Sequence, residues 1–237
     1  MSEPWNKGLT KETDASVRKI SETMKRKGID NFEEWRKEQK EKGEIPSEYP
    51  ELEEDGNLAE LTGVIVGDGY IYDFPRTQRL RIVGNANNLG FAKRYARLVE
   101  SVFGKKPTVS ERNNEKAIDI SLYQKQLSNR LDIPAGSKSE YHATTPAWID
   151  QNQELTLRYL RGLYEAEGCF CVHEPTYTYK FIFSNRNEQL LAAVAELLER
   201  LNFHPHCSKH KVQISRKQEV YEAKDLIKFR DYQNNAG

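Results

Sequence analysis

Leu61-Thr-Gly-Val-Ile-Val-Gly-Asp-Gly69 and Leu160-Arg-Gly-Leu-Tyr-Glu-Ala-Glu-Gly168 are two versions of one nonapeptide, set 99 residues apart. In each, small residues recur four apart (Gly63 and Gly67, then Gly162 and Ala166), and the segment ends on an acid followed by glycine. Residues four apart share one face of a helix, and small side chains on that face let two helix backbones approach closely. Glycine inside a helix costs roughly 1 kcal/mol relative to alanine, so the pattern demands a compensating contact. If the two segments pack on each other, Asp68 and Glu167 emerge together at two helix C-termini. Gly69 and Gly168 then suit the left-handed cap position.

The repetition extends outward from the nonapeptides. Each is followed by an aromatic-rich, strand-like stretch, Tyr70 to Phe74 and Cys169 to His173, and by a second strand ending in Ile82-Val-Gly-Asn85 or Ile182-Phe-Ser-Asn185. Apolar residues at helical spacing then predict helices over Leu89 to Phe103 and Glu188 to Leu201. A further pair of short strands, ending in Ile120-Ser121 and Ile214-Ser215, and a closing helix complete each unit. The pattern is an α+β fold of two pseudo-symmetric αββαββα repeats, spanning 51–140 and 141–237. Residues 1–50 are a separate, highly charged segment that ends in a linker from Pro46 to Pro50.

The bulk numbers set limits on function. With 36 basic and 36 acidic residues among 237, the net charge is zero. A protein that binds DNA through its phosphates must then segregate its charge on one face. No long apolar run or signal peptide is present, and three cysteines, Cys169, Cys171 and Cys207, make a poor disulfide framework. A cytoplasmic protein, nucleoid-associated when bound to DNA and with no membrane partner, is the expectation.

An acid at a helix C-terminus sits badly, because the macrodipole there is already negative, and two such acids repel each other. Divalent cations between them reverse that balance, and Mg²⁺ takes a few carboxylates with waters and phosphate oxygens. A single Asp-Gly or Glu-Gly is an ordinary turn. The same pair twice, behind the same small-residue face, points to a site.

The two nonapeptides, with Ile133-Pro-Ala-Gly-Ser-Lys138, Pro146-Ala-Trp148 and Tyr159-Leu-Arg-Gly-Leu163, resemble the two-motif, single-chain LAGLIDADG homing endonucleases from about Leu58 to Lys228. The resemblance implies a saddle of two four-stranded antiparallel sheets lying on the DNA major groove, with the motif helices as the interface. It implies Asp68 and Glu167 as catalytic metal ligands, with Gly67 and Ala166 beside them in the metal-holding set. Two or three Mg²⁺ or Mn²⁺ ions would sit at the interface. The activity implied is double-strand cleavage of a long DNA site leaving 3′ overhangs, which promotes mobility of a host intron. The protein would act as a monomer with internal pseudo-two-fold symmetry. This chain departs from the motif at Val66, where many members carry a second acid; Glu165 keeps one in the second repeat. Members also place a basic or water-ordering residue near the end of the last strand, for which Gln124 and Lys217 are the candidates.

Strand alternation assigns the DNA-facing side chains. With Leu80 and Ile82 toward the core, Arg79 and Arg81 point the other way, and arginine suits bidentate contact to guanine edges. Arg112, Lys116, Lys180, Lys209, Lys211 and Gln213 are similar candidates, each weighed against a solvated strand edge. Because the repeats differ at these positions, the target is expected to be asymmetric. The N-terminal stretch Pro4-Trp-Asn-Lys-Gly-Leu-Thr-Lys-Glu-Thr-Asp14 resembles a nuclease-associated DNA-binding segment of the NUMOD3 type. Thr13 or Asp14 would cap a helix presenting Arg18 and Lys19, and residues 31–44 read as a helical spacer. His204, His206, Cys207 and His210 crowd one loop but lack the spacing of a zinc site. Two other functions fit the scaffold: a regulator that holds DNA without cutting it, and an intron maturase that binds RNA. The chain carries no intein splicing blocks, so a free-standing, intron-encoded protein is expected.

Overall fold

A computed structural model describes residues 4–43, 49–112, 115–138, 141 and 143–232. The chain forms two compact units, Met1–Tyr49 and Pro50–Gly237. Most of the expected linker, residues 46–48, lies outside the described residues.

The first unit holds α1 (Ala15–Lys27) and α2 (Glu33–Glu41), neither of which has a buried residue. Asp14 caps α1, accepting hydrogen bonds from the Ser16 and Val17 amides at 2.8 and 3.0 Å. Gly28, at φ 63°, ends the helix in the left-handed conformation.

The second unit is built on α3 (Gly56–Asp68) and α7 (Gln153–Glu167), the helices that carry the nonapeptides. Leu58 through Val66 are buried without a break, so this stretch of α3 has no solvent-exposed face and lies inside the protein. The helices touch backbone to backbone. A Cβ on Gly162 would fall 2.1 Å from the Glu60 carbonyl oxygen, and one on Gly63 would fall 2.2 Å from that of Tyr159.

Each interface helix leads into one antiparallel sheet. The first repeat continues with β1 (Tyr70–Phe74), β2 (Thr77–Asn85), α4 (Leu89–Phe103), β3 (Thr108–Arg112), β4 (Ala117–Gln124) and α5 (Leu127–Leu131). The second, reached through α6 (Ala147–Asp150), has β5 (Gly168–His173), β6 (Thr178–Ser184), α8 (Glu188–Arg200), β7 (His206–Ser208), β8 (Lys211–Ile214) and α9 (Lys217–Ile227). The strand orders, β1-β2-β4-β3 and β5-β6-β8-β7, are the same. The repeated asparagines explain themselves locally. Asn85 and Asn185 each accept from the amide two residues on, at 2.8 and 2.9 Å, and Asn88 and Asn187 cap α4 and α8. Both repeats contribute to a single core, so neither buries its interface helix alone. Among the described residues no helix is long and apolar enough to cross a membrane.

One sequence expectation is corrected at the motif ends. Gly69 and Gly168 are extended, at φ −78° and −91°, and are not left-handed caps. Glycine is needed there for space: a Cβ would lie 2.5 Å from the Ile65 Cα at Gly69 and 2.3 Å from the Tyr164 carbonyl oxygen at Gly168. The strand turns back over the last helical turn at once, which an L side chain blocks.

The contact at Gly162 yields a direct prediction. Gly162→Ala should lose about 3 kcal/mol or more, or fail to fold, because neither backbone has room to retreat. Gly56→Ala meets nothing closer than the flexible Arg158 side chain at 3.4 Å, and should change stability by less than about 1 kcal/mol. Denaturant unfolding of the two variants tests the difference.

Candidate functional site

The shared direction of α3 and α7 brings their last residues together. A Cβ on Gly67 would stand 2.7 Å from the Ala166 Cβ and 3.5 Å from the Glu167 Cγ. Asp68 and Glu167 follow at this junction, Glu167 half-buried and Asp68 with its side chain opening to solvent. Burial raises the Asp68 pKa above the ordinary carboxylate value. Glu167 is pushed up to about 7, first by burial and then by the charge of Asp68. Asn185 Nδ2 reaches Glu167 Oε1 at 3.5 Å.

Lys138 completes the cluster, and sequence reasoning gave it no role of its own. Its Nζ donates to the carbonyls of Ile65, Val66 and Gly67 at 2.8, 2.9 and 3.4 Å. These carbonyls close the end of α3, with that of Ile65 also accepting from the Gly69 amide, so the ammonium offsets the negative helix terminus. Burial lowers its pKa to about 8 against the opposing pull of Asp68 and Glu167. Its position comes from the loop between the repeats, and one lysine among 36 basic residues carries no sequence mark of such a place.

Two carboxylates share this junction with one ammonium, which leaves it short of positive charge. The donors available are hard oxygens: Asp68, Glu167 and the helix-end carbonyls of the Gly67 and Ala166 segment. That set suits Mg²⁺ or Mn²⁺. Among the described residues no group of three or more His, Cys, Asp or Glu side chains converges on a cation site. A cation here would therefore fill its remaining positions with carbonyl, water or phosphate oxygens. The histidine loop gathers no metal set either, and His204 Nδ1 pairs with Glu219 Oε1 at 2.8 Å.

Gln124 and Lys217 lie elsewhere. β1 starts beside Asp68 and runs away from it, β2 returns, and β4 runs outward again, so Gln124 pairs with Gln78 near the far hairpin. There it is buried and accepts from Arg130 Nη1 at 2.9 Å. Lys217 lies beside Glu174 and Tyr179 at the corresponding end of the second sheet, 3.6 Å from Glu174 Oε2. Antiparallel order sends the ends of these strands away from the acids. Glu165, the additional acid of the second motif, also faces away. It accepts from the Arg230 amide at 2.6 Å and from the Tyr232 hydroxyl, tying down the chain after α9. Tyr232 in turn accepts from Asn88 Nδ2 at 3.1 Å and lies over Gly90, so the second repeat is bound back to the first.

The outward faces of the sheets open beside the acids. Asp68, Lys138, Tyr72 and Arg81 line one cavity of about 310 Å³. Leu80 and Ile82 are buried, and Arg79 and Arg81 take the opposite face as alternation requires. Asp119, missed in the sequence, holds both in place with Arg112. It lies 3.1 Å from Arg81 Nη2, 3.0 Å from Arg112 Nε and 3.9 Å from Arg79 Nη2. Arg79 also donates to Ser121 Oγ at 2.8 Å and stands over the rings of Tyr72 and Tyr123. Lys116 adopts φ 48° in the β3–β4 turn. On the second sheet, burial of Tyr179, Phe181, Val212 and Ile214 leaves Lys180, Lys211 and Gln213 on the outer face with Cys169 and Cys171. Lys209 is exposed in the β7–β8 turn. In the N-terminal unit Arg18 and Lys19 are exposed on α1, and Arg18 Nε donates to the Lys11 carbonyl at 3.0 Å.

Residues 154–233, the second repeat, match a family model described as a LAGLIDADG-like domain. The chain has the LAGLIDADG fold. No curated protein matches the chain in sequence. The homing endonuclease I-DmoI, in complex with DNA and Mn, superposes with a TM-score of 0.52 at 18% identity, over 74% of this chain and 97% of that one. The N-terminal LAGLIDADG domain of DUF199/WhiA gives 0.51 at 17% identity, over 75% and 85%. Full-length DUF199/WhiA from Thermatoga maritima gives 0.53 at 16%, over 74% and 56%. At these identities the likeness is one of fold. The NUMOD3-type resemblance of the N-terminal segment has no counterpart among these matches.

The raised Glu167 pKa has a consequence for stability. A carboxylate whose folded pKa lies above its unfolded value contributes stability below the unfolded value, near 4.5, that is lost as pH rises through about 7. In EDTA, Glu167→Gln should therefore raise the melting temperature relative to the parent protein at pH 8, and this gain should shrink toward zero at pH 5. A difference that stays flat between those pH values would show that Glu167 is not desolvated in the folded protein.

Proposed function

We propose that this protein is a LAGLIDADG-type, site-specific, divalent-metal-dependent endonuclease of double-stranded DNA. The observation that carries the reading is the meeting of Asp68 and Glu167 at the ends of the interface helices. They sit beside Lys138, in a junction opening onto the face of Arg79 and Arg81. I-DmoI structures with DNA and Mn or Ca support the choice of partner and cofactor. Bound between the acids, Mg²⁺ or Mn²⁺ ions would activate water and stabilise the attacking and leaving oxygens of a phosphodiester.

The chain's own residues have separate parts in this scheme. Asp68 and Glu167 hold negative charge where a backbone phosphate must approach, so DNA and metal bind there together. Lys138, anchored on three carbonyls, keeps a positive charge at the same place without a mobile side chain. Arg79, Arg81 and Arg112, held by Asp119, present fixed guanidinium groups to the groove, and the second sheet offers Lys180, Lys209, Lys211 and Gln213. The unlike faces fit an asymmetric site. Cleavage of both strands with 3′ overhangs, and mobility of a host intron, follow from the same reading.

The test is cleavage of a randomised duplex library with Mg²⁺, followed by sequencing of the ends. The parent protein should cut a defined long site, and Asp68→Asn or Glu167→Gln should abolish cutting while leaving DNA binding within about threefold. Lys138→Met should slow cutting by about 10²-fold or more. Saturable binding with no cutting under any divalent ion would instead favour a regulator, and selective binding of RNA a maturase.

We assign the N-terminal unit an accessory part in DNA binding. Its exposed Trp5, Ile20, Phe32 and Trp35, and the lack of buried residues among its described residues, leave those residues without a core of their own, which suits a segment ordered on a partner. Replacing Arg18, Lys19, Lys25 and Arg26 with alanine in the full chain should reduce the salt slope of DNA binding by about one for each phosphate that the helix no longer neutralises. An unchanged slope removes the assignment.

A further inference from the structure

The end of α3 and α7 opposite the acids has its own unassigned chemistry. Asn57 and Asp68 are eleven residues apart in one helix, a separation of about 16 Å. Both helices begin here, so their positive dipole ends lie side by side. Beneath them is Glu60, fully buried in α3. Three guanidinium groups converge on this one carboxylate. Arg94 holds it with two nitrogens, one at 2.5 Å, Arg158 Nε lies 2.8 Å away and Arg161 Nε 3.5 Å.

Glu60, together with Glu165 near Arg94 and Arg161, still leaves three arginines with one positive charge in excess, and this charge faces a cavity of about 420 Å³ where Arg161 also donates through Nη2 to the Asp231 carbonyl. Arg94 and Arg161 form its floor, Arg158 its wall, and Arg97 and Lys228 its exposed rim. Glu154 and Asp231 also line it. With Glu60 and the nearby Glu165 counted, cations exceed acids by five to four. The Arg161 side chain is only 5% exposed, and its Nε makes no hydrogen bond. A buried donor left unsatisfied is costly, and an anion at this floor would relieve that cost. The remaining walls, Leu98, Leu157 and Leu226, are apolar, and Leu226 is exposed. Guanidinium forks suit phosphate, apolar walls suit an organic body, and the volume falls in the range of small-molecule sites.

We propose that this cavity is a binding site for a small phosphate-bearing anion, with the phosphate on Arg97, Arg158 and Arg161 and any organic portion against the leucines. The site is distinct from the acid junction, and the proposal does not depend on nuclease activity.

The experiment is calorimetric titration of the full chain in EDTA with ADP, pyrophosphate and adenosine as probes. ADP should bind saturably at one site and adenosine should not. Arg97→Ala, whose side chain is exposed and holds nothing in the fold, should weaken ADP binding about tenfold. Arg158→Lys should do so as well, provided each variant keeps the parent melting temperature. Arg79→Ala with Arg81→Ala should leave ADP binding unchanged. Pyrophosphate binding as tightly as ADP would identify the phosphates alone as the recognised group and supports the site. Three outcomes overturn the proposal: no saturable binding of ADP or pyrophosphate, binding indifferent to Arg97→Ala and Arg158→Lys, or binding that disappears with Arg79 and Arg81.

Discussion

Helices α3 and α7 approach so closely that Gly162 has the Glu60 carbonyl where a side chain would begin, and Gly63 has that of Tyr159. Everything else in the larger unit depends on that contact. It fixes the relation of the two sheets, since each sheet starts directly behind its helix, at Tyr70 and Gly168. It also fills the core, because α3 is buried on every side from Leu58 to Val66 and neither repeat could bury it alone. The glycines are unfavourable for an isolated helix and are retained because the packing they allow is worth more than the propensity they lose.

Two helices that run side by side in one direction also concentrate charge at their ends. At the C-terminal end, dipoles and the two acids make a junction that favours cations, partly offset by Lys138 on the α3 carbonyls. At the N-terminal end the dipoles are reversed in sign and Arg94, Arg158 and Arg161 surround Glu60, giving an end that favours anions. One packing arrangement thus produces two sites of opposite character about one helix length apart. The protein reaches a net charge of zero while keeping strong local charge of both signs.

The two halves share a scaffold and differ in their surfaces. The first sheet sets three arginines around Asp119 and lines them with tyrosines. The second offers lysines, a glutamine and two exposed cysteines on its outer face, with no such arginine network among the described residues. The second motif also spends its additional acid on structure: Glu165 fastens Arg230 and Tyr232, and Tyr232 reaches Asn88 of the first repeat. Val66, at the matching place in the first motif, is buried in the apolar core instead.

Much of this was written in the sequence because it depends on local periodicity. The small-residue spacing of Gly63, Gly67, Gly162 and Ala166, the acids behind them, the repeated asparagine turns and the alternation that turns Arg79 and Arg81 outward all follow from the chain's own geometry. The conformation of Gly69 and Gly168 was not legible, because their need is for space under a neighbouring strand and not for a positive φ. Lys138, Asp119 and the Glu60 cluster were hidden for a similar reason. Each acts on residues far away in the chain, and spacing says nothing about which loop lysine will reach a helix end. Gln124 and Lys217 were placed at the site by analogy of position, and strand direction carried them to the opposite end of their sheets. The sequence by itself determined the repeated architecture and the acidic pair, since periodicity and repetition are one-dimensional. The tertiary structure alone decided which cations surround those acids, because that depends on where antiparallel strands and the loop between the repeats return in space.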